Sequence, residues 1–217
     1  ITYMKTLGYY NGKYDELENM SVPMNDRVCW FGDGVYDAGP CRNYKIFAID
    51  EHVDRFFNSA GLIRIQVPCT KAELKALLRD LVNKMDTGDL FIYFQVTRGT
   101  AVRTHEFPEN VPANLWVMLK PMGTPDLYKK IRLLTQEDTR FLHCNIKTLN
   151  LLPSVMAAQK AKEAGMYAYG AGGSGTETIT LPDVYSYQPI GGLIPLPKIW
   201  FHNTIKVHTR SEERRVG

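Results

Sequence analysis

Among the lysines of this chain, Lys147 has the setting that nucleophilic chemistry requires. It lies in the segment 144–152 (CNIKTLNLL), which contains no acidic residue; the nearest ones along the chain are Asp138 and Glu163. Partial removal from water favours the neutral amine of a lysine, which attacks carbonyl groups and can form a Schiff base. The alternative is a lysine at a strand end whose long side chain reaches solvent, and this segment alone favours that alternative because buried lysines are rare.

Two arginines and a histidine outside this segment could bind anions. Arg55 lies in the stretch 51–63, whose apolar spacing predicts an amphipathic helix with Asp50 as its N-cap. Arg103 and His105 lie in the loop after the apolar run 90–96, where they could bind a carboxylate through charge-assisted hydrogen bonds. A solvated helix face and a solvated surface loop are the competing interpretations, and local sequence favours them.

A glycine-containing motif, Phe31-Gly32-Asp33-Gly34-Val35-Tyr36-Asp37, precedes Arg55. Two glycines around an aspartate predict a tight turn followed by a short strand. The spacing differs from that of the G-x-G-x-x-G dinucleotide loop, so turn formation is the preferred interpretation over phosphate binding.

Turn residues and the periodicity of apolar residues predict the helices and strands that position these side chains. The Asn11-Gly12 pair predicts a hairpin over 5–18, and a capping box at Thr70 and Glu73 predicts the start of a helix. A linker is predicted near 121–127 because residues 121–125 read Pro-Met-Gly-Thr-Pro. The remaining predicted elements are a hairpin return over 43–48, strands over 90–96, 114–119 and 131–135, and a helix over 153–164 ended by Gly165.

Composition restricts the class of protein. The 217 residues are 44% hydrophobic and 23% charged, which is typical of a globular protein. A net charge of +3 is too small to indicate a nucleic acid or membrane partner. The four scattered cysteines predict neither a metal site nor a disulfide framework, and the absence of an apolar run of 18 residues argues against a membrane span. We therefore expect a cytoplasmic protein.

Residues 4–165 resemble the fold-type IV family of pyridoxal-phosphate enzymes, and most closely its D-amino-acid aminotransferase branch. The resemblance rests on several motifs in family order and spacing over about three quarters of the chain. They are Asp26-Arg27 followed by the motif 31–36, Glu51-His52-Val53-Asp54-Arg55, Tyr93-Phe94-Gln95-Val96-Thr97-Arg98-Gly99-Thr100, and Ile146-Lys147-Thr148-Leu149-Asn150-Leu151-Leu152.

The resemblance implies a role for each candidate residue. Lys147 matches the lysine that forms a Schiff base with pyridoxal 5'-phosphate and then transfers the substrate α-proton. Arg55 matches the arginine that holds the cofactor phosphate. The trio Tyr36, Arg103 and His105 matches the residues that bind the substrate carboxylate, the last two from the other subunit of a homodimer.

The activity implied by the resemblance is transamination of D-amino acids, in which D-alanine and 2-oxoglutarate give pyruvate and D-glutamate by a ping-pong scheme. A branched-chain aminotransferase or an aminodeoxychorismate lyase of the same fold is an alternative, although the Arg-x-His pair argues against both. A catalytically incompetent remnant is a second alternative.

The fold implied by the resemblance is α+β with two domains. Residues 1–121 would form a small N-terminal α/β domain, 122–127 the linker, and 128–166 the start of a larger cofactor-binding domain. Residues 167–217 do not match the family, and we interpret them as an aberrant continuation of a truncated sequence. Glu177, in that stretch, is a weak match to the glutamate that binds the pyridine nitrogen; an exposed loop glutamate is the alternative.

Overall fold

The computed structural model describes residues 3–123, 133–134, 143, 145–165, 167–168, 180–182 and 204–206. The chain divides into two compact units. The first contains residues 1–125 together with 146–150, and the second contains 126–145 and 151–217. Lys147 therefore lies in the first unit, whereas the sequence placed it at the start of a second domain.

The first unit is built on a six-stranded sheet in which every neighbouring pair is antiparallel. The strands are β1 (Leu7–Tyr10), β2 (Lys13–Asp15), β3 (Gly34–Arg42), β4 (Lys45–Ile46), β5 (Leu90–Thr97) and β6 (Asn114–Pro121). Their order in the sheet is β2-β1-β6-β5-β3-β4. The apolar run predicted as a buried strand is therefore β5, in the interior of the sheet. Strand β3 begins at the second glycine of the motif, has nine residues and is longer than the short strand predicted.

Both predicted hairpins are confirmed. Asn11 and Gly12 have positive φ angles of 44° and 93°, which is the backbone of a type I′ turn. Strand β4 pairs back onto the end of β3 through Asn43 and Tyr44, whose φ angles are also positive. These two turns fix the register at both edges of the sheet.

Two helices and the sheet enclose the apolar core. The buried side chains of α2 (Ile49–Leu62) include Val53 and Phe56, and those of α3 (Lys71–Val82) include Leu74 and Leu78. They pack with buried residues of β5 such as Phe94. The predicted capping box at Thr70 is confirmed. The Thr70 side chain accepts a hydrogen bond from the Glu73 backbone N–H, and the Glu73 carboxylate accepts one from the Thr70 backbone N–H. The helices of this unit are α1 (Arg27–Phe31), α2 (Ile49–Leu62) and α3 (Lys71–Val82), with a 3-10 turn at Leu17–Asn19.

The predicted N-cap of α2 is wrong. The helix begins at Ile49, and its N-cap is Ala48, in the left-handed region with φ of 44° and without a side-chain cap. The helix therefore starts directly after the turn that follows β4, earlier than the predicted cap at Asp50 implied. Asp50 lies in the first turn instead, where its carboxylate accepts from Lys75 Nζ at 2.7 Å.

In the second unit, helix α4 (Leu152–Glu163) confirms the helix predicted over 153–164, and Gly165 follows it with φ of 63°. Strand β7 (Leu133–Leu134) pairs in parallel with β8 (Tyr167–Ala168), and β9 (Thr180–Pro182) pairs with β10 (Thr204–Lys206). Glu177 and most of the predicted linker lie outside the described residues. Within the described part of the chain, no helix has the length and apolar character needed to cross a membrane.

Candidate active site

The segment that contains Lys147 lies along β3 like a short extra strand. Thr148 forms an antiparallel bridge with Val35, and the Lys147 carbonyl accepts a hydrogen bond from the Tyr36 N–H at 3.0 Å. The Lys147 N–H in turn donates to Ser59 Oγ of α2 at 3.3 Å. Backbone pairing therefore places the lysine between β3 and α2.

Gly34 permits this close approach. A Cβ atom at this position would lie 2.8 Å from Leu149 Cδ1 and 2.5 Å from the Val96 carbonyl oxygen. The Leu149 N–H donates to the Gly34 carbonyl at 3.1 Å, so the two backbones are in direct contact. The second glycine of the motif thus has a packing reason that the turn interpretation did not include.

The amine of Lys147 lies over an aromatic ring in a half-buried position. Its Nζ is 4.2 Å from the centroid of the Tyr36 ring. Burial lowers the pKa of Lys147 from 10.5 to about 8; the positive charge of Arg55 acts in the same direction, and the negative charge of Asp37 opposes it. A substantial neutral fraction near pH 8 is the property that a nucleophilic lysine needs.

Stacking of aromatic rings holds Tyr36 in place. The Tyr36 and Tyr93 rings are nearly parallel, with centroids 5.2 Å apart, and the Trp116 ring lies 5.2 Å beyond Tyr93. The Tyr93 hydroxyl donates to Gln95 Oε1 at 2.9 Å. Burial raises the pKa of Tyr36, so its hydroxyl is protonated at neutral pH.

A buried carboxylate lies next to Tyr36 in the sequence and on the helix side of β3. Asp37 is fully buried and accepts two hydrogen bonds from Arg55, at 2.6 Å from Nε and 2.7 Å from Nη2. The His52 Nδ1 lies 2.8 Å from the same carboxylate. Burial by itself raises the pKa of Asp37, but the hydrogen bonds from Arg55 and His52 outweigh it and lower the pKa.

Arg55 is therefore held in a fixed orientation by an ion pair that the sequence did not predict. Burial tends to lower its pKa, but the bond to Asp37 raises it. The guanidinium has five N–H donors, and the hydrogen bonds to Asp37 use its Nε and Nη2 groups. The Nη1 group makes no hydrogen bond to Asp37.

His52 packs against Gly39 of β3. A Cβ atom at position 39 would lie 2.6 Å from His52 Nε2. The glycine thus provides the space in which the imidazole reaches Asp37.

Arg103 and His105 do not join this group within the chain. Both side chains lie against Phe31: the Arg103 guanidinium carbon is 5.1 Å from the ring centroid, and the His105 ring is 5.2 Å from it. Both residues are exposed. One chain thus brings together Lys147, Tyr36 and Arg55, and presents Arg103 and His105 elsewhere on its surface.

A family model described as amino-transferase class IV matches residues 34–169, which is more than half of the chain. The chain belongs to the class IV aminotransferases. The match begins at β3 and extends past Lys147, so it includes the group formed by Lys147, Tyr36 and Arg55.

Curated relatives and solved structures agree with this family. The D-alanine aminotransferase of Bacillus licheniformis is 37% identical over 166 residues, which are 76% of this chain and 58% of that protein. The D-alanine aminotransferase of Staphylococcus haemolyticus is 37% identical over 158 residues, 70% of this chain and 55% of the relative. This class IV chain therefore spans little more than half the length of the curated relatives that it matches.

The solved structures show the fold. The branched-chain aminotransferase of the archaeon Thermoproteus uzoniensis, solved with norvaline, has a TM-score of 0.65 at 19% identity, covering 74% of this chain and 57% of that one. The Escherichia coli branched-chain amino acid aminotransferase has a TM-score of 0.64 at 19% identity, covering 75% and 56%. The α+β fold-type IV architecture expected from the sequence is confirmed for the matched region.

Sequence reasoning missed three residues of the candidate site. Asp37 and His52 were not predicted as partners of Arg55, and Ser59 was not predicted as a contact of Lys147. The spacing of His52 and Arg55, three residues apart on a helix, did indicate a shared face. Among the described residues, no group of three or more His, Cys, Asp or Glu side chains is suited to a metal ion.

Proposed function

We propose that this chain contributes the lysine-bearing half of a pyridoxal-phosphate-dependent D-amino-acid aminotransferase, whose reaction converts D-alanine and 2-oxoglutarate to pyruvate and D-glutamate. The observation that supports this most is the Lys147 amine, 4.2 Å from the Tyr36 ring, with its pKa lowered to about 8. The D-alanine aminotransferases similar to this chain support the substrate class.

The residues present fit the cofactor. Lys147 Nζ would hold pyridoxal phosphate covalently, because a neutral amine is available at the pH of the cell. The donors of Arg55 left free by Asp37 would bind the phosphate, and the bidentate ion pair keeps the guanidinium from swinging away. When bound, the cofactor supplies an electron-withdrawing ring that stabilises negative charge at the substrate Cα.

The second role of Lys147 is proton transfer. With a pKa of about 8, its Nζ accepts the α-proton of a bound amino acid in the neutral form and returns a proton in the charged form. Asp37 and Arg55 act on this amine in opposite directions, since the carboxylate raises its pKa and the guanidinium lowers it. Because these two charges oppose each other, burial is the main cause of the lowered pKa of Lys147.

The substrate carboxylate would be bound by Tyr36 together with Arg103 and His105 of a second copy of the chain. In support, Arg103 and His105 are exposed and lie on Phe31, where they are available to another protomer. Sedimentation of the purified protein tests this arrangement, because a strictly monomeric protein at micromolar concentration would contradict it.

Incubation of the chain with pyridoxal phosphate, followed by reduction with borohydride, tests the cofactor assignment. We expect a visible absorbance band before reduction and a phosphopyridoxyl group on Lys147 in the peptide mass spectrum afterwards. Lys147→Ala should lose both signals, whereas Lys71→Ala, which removes an exposed lysine of α3, should keep them. A band that survives in Lys147→Ala would refute the assignment.

Amino-donor preference separates the D-amino-acid aminotransferase from the branched-chain enzymes that share its fold. We expect amino transfer to 2-oxoglutarate from D-alanine and none from L-leucine. Transfer from L-leucine alone would overturn the proposed substrate class while leaving the cofactor assignment intact. A protein that binds the cofactor on Lys147 but transfers from neither donor would instead be the incompetent remnant.

A further inference from the structure

A buried arginine, Arg27, binds the backbone of the loop that contains Arg103 and His105. Arg27, in α1, is 2% exposed, and its Nη1 donates to the backbone carbonyl of Thr104 at 2.8 Å. Thr104 is the residue between the two predicted carboxylate-binding side chains. One buried guanidinium therefore fixes the backbone at the centre of the loop.

Arg27 is itself oriented by Asp33 of the glycine motif. Its Nε donates to Asp33 Oδ2 at 2.7 Å, and Arg98 Nε donates to the same oxygen at 2.9 Å. The Arg98 guanidinium also stacks on Phe107, with 3.6 Å between its central carbon and the ring centroid. Asp33 thus holds two arginines, one at the middle of the loop and one near its far side.

The Phe31 ring contacts Arg27, Arg103 and His105. The Arg27 guanidinium carbon lies 5.0 Å from the Phe31 centroid, and that of Arg103 lies 5.1 Å from it. The His105 ring packs on the same phenyl group. Backbone anchoring at Thr104 and ring contact at Phe31 together determine where both side chains lie.

We propose that Arg27 is a positioning residue for the substrate carboxylate: through the Thr104 carbonyl it fixes Arg103 and His105 over Phe31. The consequence for substrate rests on the proposed function, but the positioning itself does not. A loop whose side chains are fixed in advance loses less conformational entropy on binding an anion than a mobile one.

The His105 imidazole proton resonances measure the positioning without cofactor or activity. Contact with Phe31 should displace them upfield from their free position, and His105→Gln identifies them. In Arg27→Lys, which keeps a cation near Asp33 but has no fork to reach Thr104, we expect this displacement to be lost. The His52 resonances should stay in place, because His52 contacts Asp37 and lies apart from this loop.

Trypsin cleavage after Arg103 provides the second measurement. Loss of a charge-assisted hydrogen bond at Thr104 should raise the cleavage rate about tenfold in Arg27→Lys. Arg42→Lys is the matched control, since Arg42 also donates to backbone carbonyls, those of Met122 and Gly123, but away from the loop. Its cleavage rate should equal that of the unmodified chain.

Phe31→Leu keeps the proposal testable if Arg27→Lys fails to fold. It leaves the buried ion pairs in place and should remove the His105 displacement while leaving the thermal unfolding transition cooperative. The proposal is overturned if a folded Arg27→Lys protein, or Phe31→Leu in its place, retains the His105 resonance positions of the unmodified chain. Absence of transamination in all variants would count against the proposed function alone.

Discussion

Two aspartates four residues apart, Asp33 and Asp37, organise two different regions of the first unit. Each receives hydrogen bonds from arginine: Asp37 from Arg55, and Asp33 from Arg27 and Arg98. Asp37 is fully buried and close enough to Lys147 to affect its pKa, whereas the Asp33 side chain is 12% exposed. Similar ion pairs therefore have different effects: the one at Asp37 affects the pKa of Lys147, and those at Asp33 anchor the loop that contains Arg103.

The surroundings of each carboxylate decide what its removal changes. Asp37 lies between β3 and α2, where few polar groups can compensate for its loss, so its removal should affect stability and the lysine together. Asp33 lies beside a surface loop, and its two arginines make further bonds to backbone carbonyls of Thr104 and Ile63. Its removal should therefore affect the loop more than the fold.

Asp37→Asn should have the largest effect, because it leaves the Arg55 charge buried without its partner. We expect a loss of about 3–5 kcal/mol in the free energy of unfolding, measured by urea denaturation at pH 7. The folded-state pKa of Asp37 is lowered, so its contribution is present above the ordinary aspartate pKa and is lost as pH falls through the folded value. The stability of the variant should consequently depend less on acid pH than that of the unmodified chain.

Lys147→Met should stabilise the protein at neutral pH. The folded-state pKa of about 8 lies below the unfolded value of 10.5, so the folded protein binds fewer protons between these values and its stability rises with pH across that window. Replacing the lysine removes this cost, a gain of up to about 3 kcal/mol below pH 8 that disappears above pH 10.5. Thermal unfolding of both proteins at pH 7 and pH 10.5 measures it; an equal gain at both values would contradict the lowered pKa.

Asp33→Asn should cost less, about 1–2 kcal/mol, because Asp33 is 12% exposed and both of its buried arginines keep their backbone acceptors. Its main effect should be faster trypsin cleavage after Arg103, while the pH dependence of Lys147 reactivity stays unchanged. Asp37→Asn should show the opposite pattern. If both variants altered the loop and the lysine equally, the separation of the two regions would be refuted.

Thr70→Ala should have the smallest effect and serves as a control outside both regions. Loss of the capping box should cost about 1 kcal/mol in the free energy of unfolding. Cleavage after Arg103 and the reactivity of Lys147 should both match the unmodified chain. A change in either would show that general destabilisation, and not the local ion pair, explains the results with the aspartates.

Local interactions were predictable from the sequence. The Asn11-Gly12 turn and the Thr70 capping box each depend on residues within four positions, and both are confirmed. The Asp50 cap was wrong because the entry into α2 is set by the β4 return at Ala48 and not by the nearest polar residue.

Pairings between distant segments were not predictable. The ion pair of Asp37 and Arg55 spans 18 residues, and the backbone bonds of Lys147 to β3 and α2 span about 90 to 110. Only the fold brings these groups together, and neither partner is unusual in its own surroundings. Arg55 could therefore be singled out by resemblance, whereas its buried partner could not.

The pH dependence of pyridoxal phosphate attachment to Lys147 tests whether this lysine is the reactive amine of the chain. It is quantified by mass spectrometry after brief exposure and borohydride reduction. The geometry predicts modification concentrated on Lys147, with a half-maximal rate near pH 8. Modification spread over the exposed lysines, or a half-maximum near pH 10.5 at Lys147, would contradict it.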